Sequence, residues 1–358
     1  MKKVYGLALM VLLTVLAAAG CNSGGGETQP AQTQPAPTQP ASEQVGSGQQ
    51  EAVKEEPKTD FPTDDIEFIV GANPGGGYST WGQAISQFME KYLPNETEVV
   101  VRHMPEAGGV TAANTVQAAK PDGHLLKIYN LPGLAPTQLA KEVNYDLTKV
   151  TWLATVNKGT YTVSVSPESG YKSLEDLKKK DGPILVATRG LASNDTVAAA
   201  IVFKELGIDW KPLTHGGTGE VILSVVRGDA DVVFSVYESV QESLKAGDLE
   251  MILHFGDEPH PDYPNVPISD KVGLSKFNDL FSINRVIGGP PGIPEDVVAI
   301  LEKAIKESVE DPEFVEMMNK QNLAIHYEDA ARTNQIVSEN FENFSQYADI
   351  VKELYSQN

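Results

Sequence analysis

The sequence contains one cysteine, Cys21, in 358 residues. A single cysteine excludes an internal disulfide, a zinc site built from several thiolates and a CxxC redox pair. Cationic residues are also scarce, because 28 Lys and Arg stand against 49 Asp and Glu and give a formal net charge of -21. With no basic stripe, we expect no nucleic-acid partner. Since this charge repels small anions at long range, an anion site has to be built from local groups.

Motifs for catalysis and cofactor binding are missing as well. The sequence has no GxSxG elbow and no HExxH helix, and PGGGYST (74–80) lacks the Gly-Lys-Ser/Thr of a phosphate-binding loop. GGGYSTWG (75–82) only approaches a dinucleotide fingerprint, with Glu96 or Glu98 near the position of its acidic partner. The histidines and acids of HFGDEPHPDYP (254–264) are expected to be solvated loop side chains rather than metal ligands. We therefore predict no catalytic residue, no metal and no cofactor.

The first sixty residues predict export and membrane anchoring. Two lysines precede an apolar run at 4–16, and small residues lead from there into Cys21, the pattern of a bacterial lipoprotein signal peptide. We predict a signal peptide at 1–20 and lipidation at Cys21. Residues 21–60 are rich in Gln, Pro and Gly and nearly free of large apolar side chains, so they are predicted to form a disordered tether. The protein is thus predicted to be extracytoplasmic and lipid-anchored to the cell membrane.

The remaining sequence alternates between strand and helix patterns. Strands are predicted at 66–72, 98–104, 124–130, 161–166, 183–189, 230–236 and 249–255. Helices are predicted at 79–92, 110–119, 195–206 and 220–226, and only helical patterns follow Gly292. This alternation is typical of α/β proteins with doubly wound, mostly parallel sheets and flanking helices. Because the strands fall into two blocks, we predict two sheets.

The helical tail has no strand of its own and must pack on an earlier block. If it returns to the first block, the chain crosses twice between two lobes, and two crossings form a hinge that lets lobes close on a ligand. We predict that lobe 1 comprises 61–160 plus 286–358, and that lobe 2, with the crossover segments, comprises 161–285. We expect a monomer.

Three glycine-rich turns each lie between a predicted strand and a predicted helix: PGGGYSTW (74–81), RGLASND (189–195) and HGGTGE (215–220). The first amides of a helix have no internal partner, and the helix dipole adds partial positive charge there, so such ends bind carboxylates. Ligands of open α/β sheets lie beyond the carboxyl ends of the strands, so the turns are predicted to converge on one cleft. The alternative is that each is only a tight turn with a capped helix.

From about Phe61 to its end, the sequence resembles the periplasmic substrate-binding subunits of tripartite tricarboxylate transporters, the Bug family. The resemblance rests on IEFIVGANPGGG (66–77), VVVRHMPEAGGVTAANTVQAAKPDGHLL (99–126), VNYDLTKV (143–150), GDADVVF (228–234), YPNVPISDKVG (263–273) and GPPGIPEDVVAILEKAI (289–305), in this order. It implies a two-lobed periplasmic-binding-protein fold of type II, with the ligand in the interlobe cleft. It also implies a small carboxylate ligand, held by backbone amides, and integral-membrane transporter subunits as partners.

The turns and the resemblance together assign twelve candidate ligand-binding residues. They are Gly75, Gly76, Gly77, Tyr78 and Ser79 in the first turn, Ser193 and Asn194 in the second, His215, Gly216 and Gly217 in the third, Ser235 after the ADVVF strand, and Arg285.

Two departures from the family bear on the ligand. Ser79 stands where members often carry Asp, and Ser235 where they commonly carry an acidic residue. Both remove negative charge from the predicted cleft, so we predict a purely anionic ligand, a di- or tricarboxylate. Arg285 would bind its second carboxylate through a bidentate fork, although a surface or interlobe ion pair is the alternative. A receptor for a sensor kinase and an enzyme acting on a carboxylate are the rival functions.

Overall fold

Ten strands of the computed structural model, which describes residues 60–75 and 77–356, form two five-stranded sheets. The predicted signal peptide, Cys21, the tether up to residue 59, and Gly76 lie outside the described residues. The strands are β1 (Ile66–Val70), β2 (Val99–His103), β3 (Leu125–Leu131), β4 (Thr151–Gly159), β5 (Tyr161–Val165), β6 (Ile184–Thr188), β7 (Trp210–Thr214), β8 (Val232–Val236), β9 (Glu250–Phe255) and β10 (Ile283–Gly289).

Twelve α-helices of the described residues flank these sheets. They are α1 (Gly77–Tyr92), α2 (Val110–Gln117), α3 (Leu134–Ala140), α4 (Leu174–Lys178), α5 (Asn194–Leu206), α6 (Thr218–Val226), α7 (Tyr237–Ala246), α8 (Asn278–Phe281), α9 (Glu295–Glu310), α10 (Pro312–Lys320), α11 (Ala330–Ser345) and α12 (Ala348–Ser356). None of the helices within residues 60–75 and 77–356 is long and apolar enough to cross a membrane.

The two sheets have the same design. The first has the order β2-β1-β3-β10-β4, in which β1 runs parallel to β2 and β3 while β10 runs antiparallel to both of its neighbours. The second has the order β7-β6-β8-β5-β9, in which β6 runs parallel to β7 and β8 while β5 is the reversed strand. Each sheet is therefore parallel except for one strand. The predicted fold class, two mostly parallel α/β lobes, is confirmed.

Burial explains why these segments adopt their structures. β1 is IEFIV, and Ile66, Phe68, Ile69 and Val70 are fully buried, as in a parallel strand that is covered on both faces. In α1 the buried side chains recur at helical spacing and face the sheet. They include Trp81, Ala84, Ile85, Phe88 and Met89, and they pack against α9 in the core of the first lobe.

Three of the strands, β4, β7 and β10, were not predicted from the sequence. β7 is an edge strand with mostly exposed or half-buried residues and a proline, Pro212, so its sequence carries little apolar alternation. β10 ends in Gly288 and Gly289, which normally weaken a strand. A side chain at Gly288 would lie 2.7 Å from Val150 and 2.8 Å from Trp152, so tertiary packing places glycine inside this strand.

The lobe boundaries remain a prediction. At two points, strand pairing and helix packing assign residues to the other lobe than the predicted boundaries do. β10 begins at Ile283 and pairs with β3 and β4, so residues 283–285 lie in the first sheet. The last helix, α12, contacts α3 and α5, and its Val351 and Tyr355 belong to the core of the second lobe. The apolar pattern of the tail predicts helices, but it does not reveal which lobe their apolar faces meet.

Candidate functional site

In each sheet, helices begin at the carboxyl ends of the parallel strands. Side chains from these ends of the two sheets contact each other between the lobes. Arg285 of β10, in the first sheet, pairs with Glu238 in the first turn of α7, in the second lobe. A side chain at Gly77, the first residue of α1, would lie 3.8 Å from Arg285 Nη2. The structure thus brings the start of α1, Arg285 and the start of α7 together at the lobe junction.

A second contact between the lobes involves the second turn. A side chain at Gly133, just before α3 in the first lobe, would lie 3.7 Å from Asn194 Nδ2 at the start of α5. The starts of α1 and α5 therefore both border the space between the lobes. Convergence of all three glycine-rich turns on one cleft stays a prediction.

The first turn presents exposed backbone. Gly75 has a φ of +93°, which favours glycine, and Gly75 and Gly77 are exposed. Tyr78 is anchored through its hydroxyl, which donates to the carbonyl oxygen of Ile128, and burial raises the pKa of Tyr78. The first turn of α1 contains no acidic residue. The N–H groups of Gly77 and Tyr78, together with the helix dipole, therefore suit an external anion.

Ser79 is in the first turn but does not offer its hydroxyl to the cleft. The residue is 1% exposed, and its Oγ lies 3.5 Å from Nε2 of His103, whose Nδ1 lies 2.9 Å from the carbonyl oxygen of Ala72. The side chain therefore stabilises the base of the turn, and the backbone N–H is the group of Ser79 that suits a ligand.

The second turn is shaped by hydrogen bonds within it. Ser193 has the extended backbone of an N-cap residue, but its Oγ donates to the carbonyl oxygen of Gly190 instead of capping α5. Arg189 Nη2 donates to Asp195 Oδ1 over 3.1 Å, and the backbone N–H of Arg189 donates to Oδ2 over 3.0 Å. The cation of this turn is thus paired with an acid of the same turn, and the backbone N–H of Ser193 donates to the carbonyl oxygen of Gly190.

The third turn already holds a carboxylate of the protein. The backbone N–H of Gly216 donates to Glu220 Oε2 over 2.8 Å. His215 is held by its backbone N–H, which donates to Thr188, and its Nε2 is buried without a hydrogen-bond partner. Gly217 has the extended backbone of an N-cap residue. These contacts favour the alternative in which the third turn is a capped helix start.

Arg285 forms the interlobe ion pair that the sequence left open as an alternative. Its Nη2 donates to Glu238 Oε2 over 2.9 Å, and Nη1 donates to Glu238 Oε1 over 3.3 Å and to Asn157 Oδ1. Arg285 is 7% exposed, and its Nε is buried without a partner. Ser235, on β8, is half-buried, and its carbonyl oxygen accepts a hydrogen bond from Thr162.

Glu238 and Asn157 were missed by the sequence interpretation. The loss of an acidic residue at Ser235 suggested a cleft with less negative charge, but Glu238 supplies a carboxylate three residues later, in the first turn of α7. The polar residues that follow the ADVVF strand, Ser235 and Glu238, were the feature of the sequence that could have indicated this carboxylate. The lobe junction therefore combines one cation and one anion instead of carrying an unpaired arginine.

Lys127 is a further residue that the sequence interpretation missed. It is 1% exposed on β3, and its Nζ donates to the carbonyl oxygen of Ile128 over 3.0 Å and lies 3.6 Å from the centroid of the Tyr129 ring. Burial lowers the pKa of Lys127 to about 7. The sequence LLKIYNL is typical of a strand with one solvent-facing lysine. It does not predict that the lysine side chain is buried.

The predicted loop 254–264 borders a cavity of about 500 Å³ beside the first crossover between the lobes. His254 and His260 are buried there, so the expectation that they are solvated is wrong. Burial lowers the pKa of His254 to about 4 and also lowers that of His260. His254 Nε2 lies 2.9 Å from the hydroxyl of Thr160. In the described part of the chain, no group of three or more His, Cys, Asp or Glu is arranged to hold a metal.

Two mostly parallel sheets in two lobes, with helix starts facing the junction between them, define a two-lobed solute-binding protein. Residues 84–354 match the family model described as "Tripartite tricarboxylate transporter family receptor", and the chain belongs to this family. A curated relative, a UPF0065 protein of Bordetella pertussis, is 23% identical over 269 residues, which cover 74% of this chain and 82% of the relative.

Solved structures agree with this fold. A TctC solute-binding protein from Polaromonas superposes with a TM-score of 0.68 at 20% identity, covering 83% of this chain and 100% of that chain. MatC from Rhodopseudomonas palustris with bound malate has a TM-score of 0.64 at 22% identity and coverages of 81% and 100%. A second R. palustris protein, with adipate, has a TM-score of 0.67 at 15% identity and coverages of 82% and 98%.

Proposed function

We propose that this protein is an extracytoplasmic solute-binding lipoprotein that captures a small di- or tricarboxylate and delivers it to a tripartite tricarboxylate-type membrane transporter. The observation that carries the proposal is the open start of α1, which has exposed backbone, no acidic residue in its first turn, and Arg285 beside it. The neighbours that bind malate and adipate support a dicarboxylate as the ligand.

Capture begins when one carboxylate of the ligand settles on the first turn of α1, at Gly77 and Tyr78. The start of α5, at Ser193 and Asn194, receives the other end of the ligand as the lobes close. Rotation takes place about the connections between the lobes. These lie between β4 and β5, between α8 and β10, and in the tail that returns to the second lobe at α12. The ligand leaves unchanged, because the proposed protein is a binder and not an enzyme.

Arg285 and Glu238 hold the two lobes in register at the base of the cleft. A ligand carboxylate that reaches the guanidinium has to replace Glu238 there. This competition makes the pair a filter for ligand charge and length, since only a ligand bound at α1 with a second carboxylate extending towards β10 gains from the exchange.

A thermal-shift panel of purified protein with malate, adipate, succinate, citrate, acetate and aspartate tests the ligand class. A ligand at a hundredfold excess over its Kd adds about 2.7 kcal/mol of stability. Di- or tricarboxylates should raise the melting temperature most. A panel in which aspartate outcompetes them, or in which no carboxylate has an effect, would contradict the proposal.

Anchoring and delivery require separate measurements. Mass spectrometry of the mature N-terminus should find lipid on Cys21, and Cys21→Ala should release the protein from membranes. Deletion should abolish uptake of the ligand found in the panel. Loss of a transcriptional response with uptake intact would indicate a sensory receptor instead.

A further inference from the structure

Lys127 lies at the end of β1, where the chain leads into the turn proposed to bind the ligand. Its register partner on β1 is Ile69, and β1 ends one residue later at Val70, where the chain leaves the sheet as the first glycine-rich turn. A side chain at Gly71, the first residue beyond β1, would lie 3.6 Å from Lys127 Cε. The lysine therefore bends towards the carboxyl end of β1 instead of crossing into solvent.

The ammonium group and the first turn of α1 share one acceptor. The carbonyl oxygen of Ile128 accepts hydrogen bonds from Lys127 Nζ and from the hydroxyl of Tyr78. Tyr78 belongs to the first turn of α1, whose N–H groups point at the proposed carboxylate. The buried amine is thus linked to the first turn of α1 through this shared carbonyl and the tyrosine.

No carboxylate of the described residues pairs with Lys127. The titratable and charged side chains on the sheet face that carries Lys127 are Glu67 on β1, Arg102 on β2 and Tyr129 on β3. Tyr78 of α1 reaches the same carbonyl oxygen as Lys127, whereas strand alternation places His103 and Arg285 on the opposite face. Glu67 pairs with Arg102 over 2.8 Å, and Arg285 pairs with Glu238. The helix packed over this face, α2, contains no titratable side chain. A protonated Lys127 is thus a buried cation without a counterion.

We propose that the ligand supplies the missing counterion, so that Lys127 takes up a proton as a carboxylate settles on the start of α1. This inference rests on the proposed function and deepens it, because it makes Lys127 a determinant of ligand charge. Linkage requires that protonation of Lys127 strengthens anion binding by the same factor by which the anion favours protonation. For charges on the order of 10 Å apart at an effective dielectric of about 20, that factor is roughly tenfold.

Burial of the lysine places this exchange in an accessible pH range. The pKa of Lys127 is lowered to about 7 by desolvation, so the amine of the empty protein is largely neutral at pH 8. A dianion should therefore bind more tightly as the pH falls from 8.5 to 6.5. Malate is fully ionised throughout this range, so a proton taken up on binding belongs to the protein.

Calorimetry with malate at pH 7.5, in phosphate and in Tris, tests the proposal. The wild type should take up a fraction of a proton for each malate bound, and its affinity should rise up to about tenfold between pH 8.5 and 6.5. Lys127→Met should bind malate without this uptake and with little dependence on pH. Lys120→Met removes an exposed lysine of the same lobe and should behave as the wild type. Equal uptake by the Lys127→Met and wild-type proteins would overturn the inference.

Carbon-13 NMR of the lysine Cε signals provides a measurement that does not rely on a variant. The Lys127 signal, assigned by its loss in Lys127→Met, should titrate near neutral pH without ligand and at higher pH with saturating malate. Citrate and adipate replace malate if malate does not bind. If no member of the panel binds, the proposed function fails and this inference fails with it. If one binds while the Lys127 titration stays unmoved, only this inference fails.

Discussion

The first and third glycine-rich turns look alike in sequence but differ in what lies at their helix starts. At the third turn, Glu220 accepts a hydrogen bond from the backbone N–H of Gly216, so a carboxylate of the protein occupies the anion position. At the first turn there is no acidic residue, and Arg285 lies beside Gly77. Similar sequences therefore produce a helix start that carries a carboxylate in one lobe and one without an acidic residue in the other. We therefore expect the neighbouring charges to decide which of the two glycine-rich helix starts can bind an external anion.

Replacing Arg285 should have the largest effect, because it leaves Glu238 at the lobe junction without its cation. Removal of one partner from a buried ion pair costs about 3 kcal/mol or more. We expect Arg285→Ala to lower the free energy of unfolding by about 3 kcal/mol, and urea denaturation at pH 7 measures this loss. Affinity for dicarboxylates should fall more than affinity for acetate.

The double variant Arg285→Ala with Glu238→Gln is the matched control for this loss. It removes the charge that the single variant strands, so much of the stability should return. If the double variant is as unstable as Arg285→Ala, packing of the arginine and not its charge holds the lobe junction. Glu238→Gln alone should free Arg285 and tighten dicarboxylate binding.

Lys127 gives the region of the first turn a pH dependence of stability. Its pKa in the folded protein is about 7, against 10.5 for an ordinary lysine, so between these values the unfolded chain binds more protons. The free energy of unfolding of the wild type, relative to Lys127→Met, should therefore rise with pH by up to about 1.4 kcal/mol per pH unit. Urea denaturation of both proteins at pH 7 and pH 9 measures the difference. Parallel pH profiles would show that Lys127 is not a buried titrating amine.

Glycine itself should matter at the first turn and not at the third. Gly77→Val places a branched side chain at the start of α1, beside Arg285, and blocks approach to the backbone. We expect malate affinity to fall at least tenfold with little change in the melting temperature. The matched variant is Gly217→Val, where a side chain meets nothing within 4 Å. Equal losses of affinity in both variants would place the third turn in the ligand site as well.

The sequence alone predicted most of the fold because the buried strands and amphipathic helices carry strong periodic patterns. The runs around Phe68 and Phe234 are nearly all apolar, and each forms a strand in the structure. β7 and β10 were missed because Pro212 and Gly288 are allowed there by an edge position and by close packing, which are properties of the assembled sheet.

The candidate site was less predictable because pairing between distant residues decides its charge. The glycine-rich turns predicted where helices begin. They did not predict that the Glu220 carboxylate accepts a hydrogen bond at the start of α6, or that Glu238 pairs with Arg285. The burial of Lys127 could not be predicted from the sequence for a similar reason. A lysine in a strand is usually solvated, and only the end of β1 and the helix packed over it show that this one is buried.

Glu220→Ala should have the smallest effect and should separate the two turns most clearly. Loss of a helix-start cap costs about 1 kcal/mol, so the melting temperature should fall slightly while malate affinity stays unchanged.

The same variant opens the third helix start, because the backbone N–H of Gly216 loses its acceptor. If the carboxylate of Glu220 is what keeps external anions away, the variant should bind additional acetate weakly, which NMR titration of the Gly216 amide signal would detect. An amide signal that acetate leaves unmoved would mean that an open helix start is insufficient, and that the cations beside α1 are what make the first turn a ligand site.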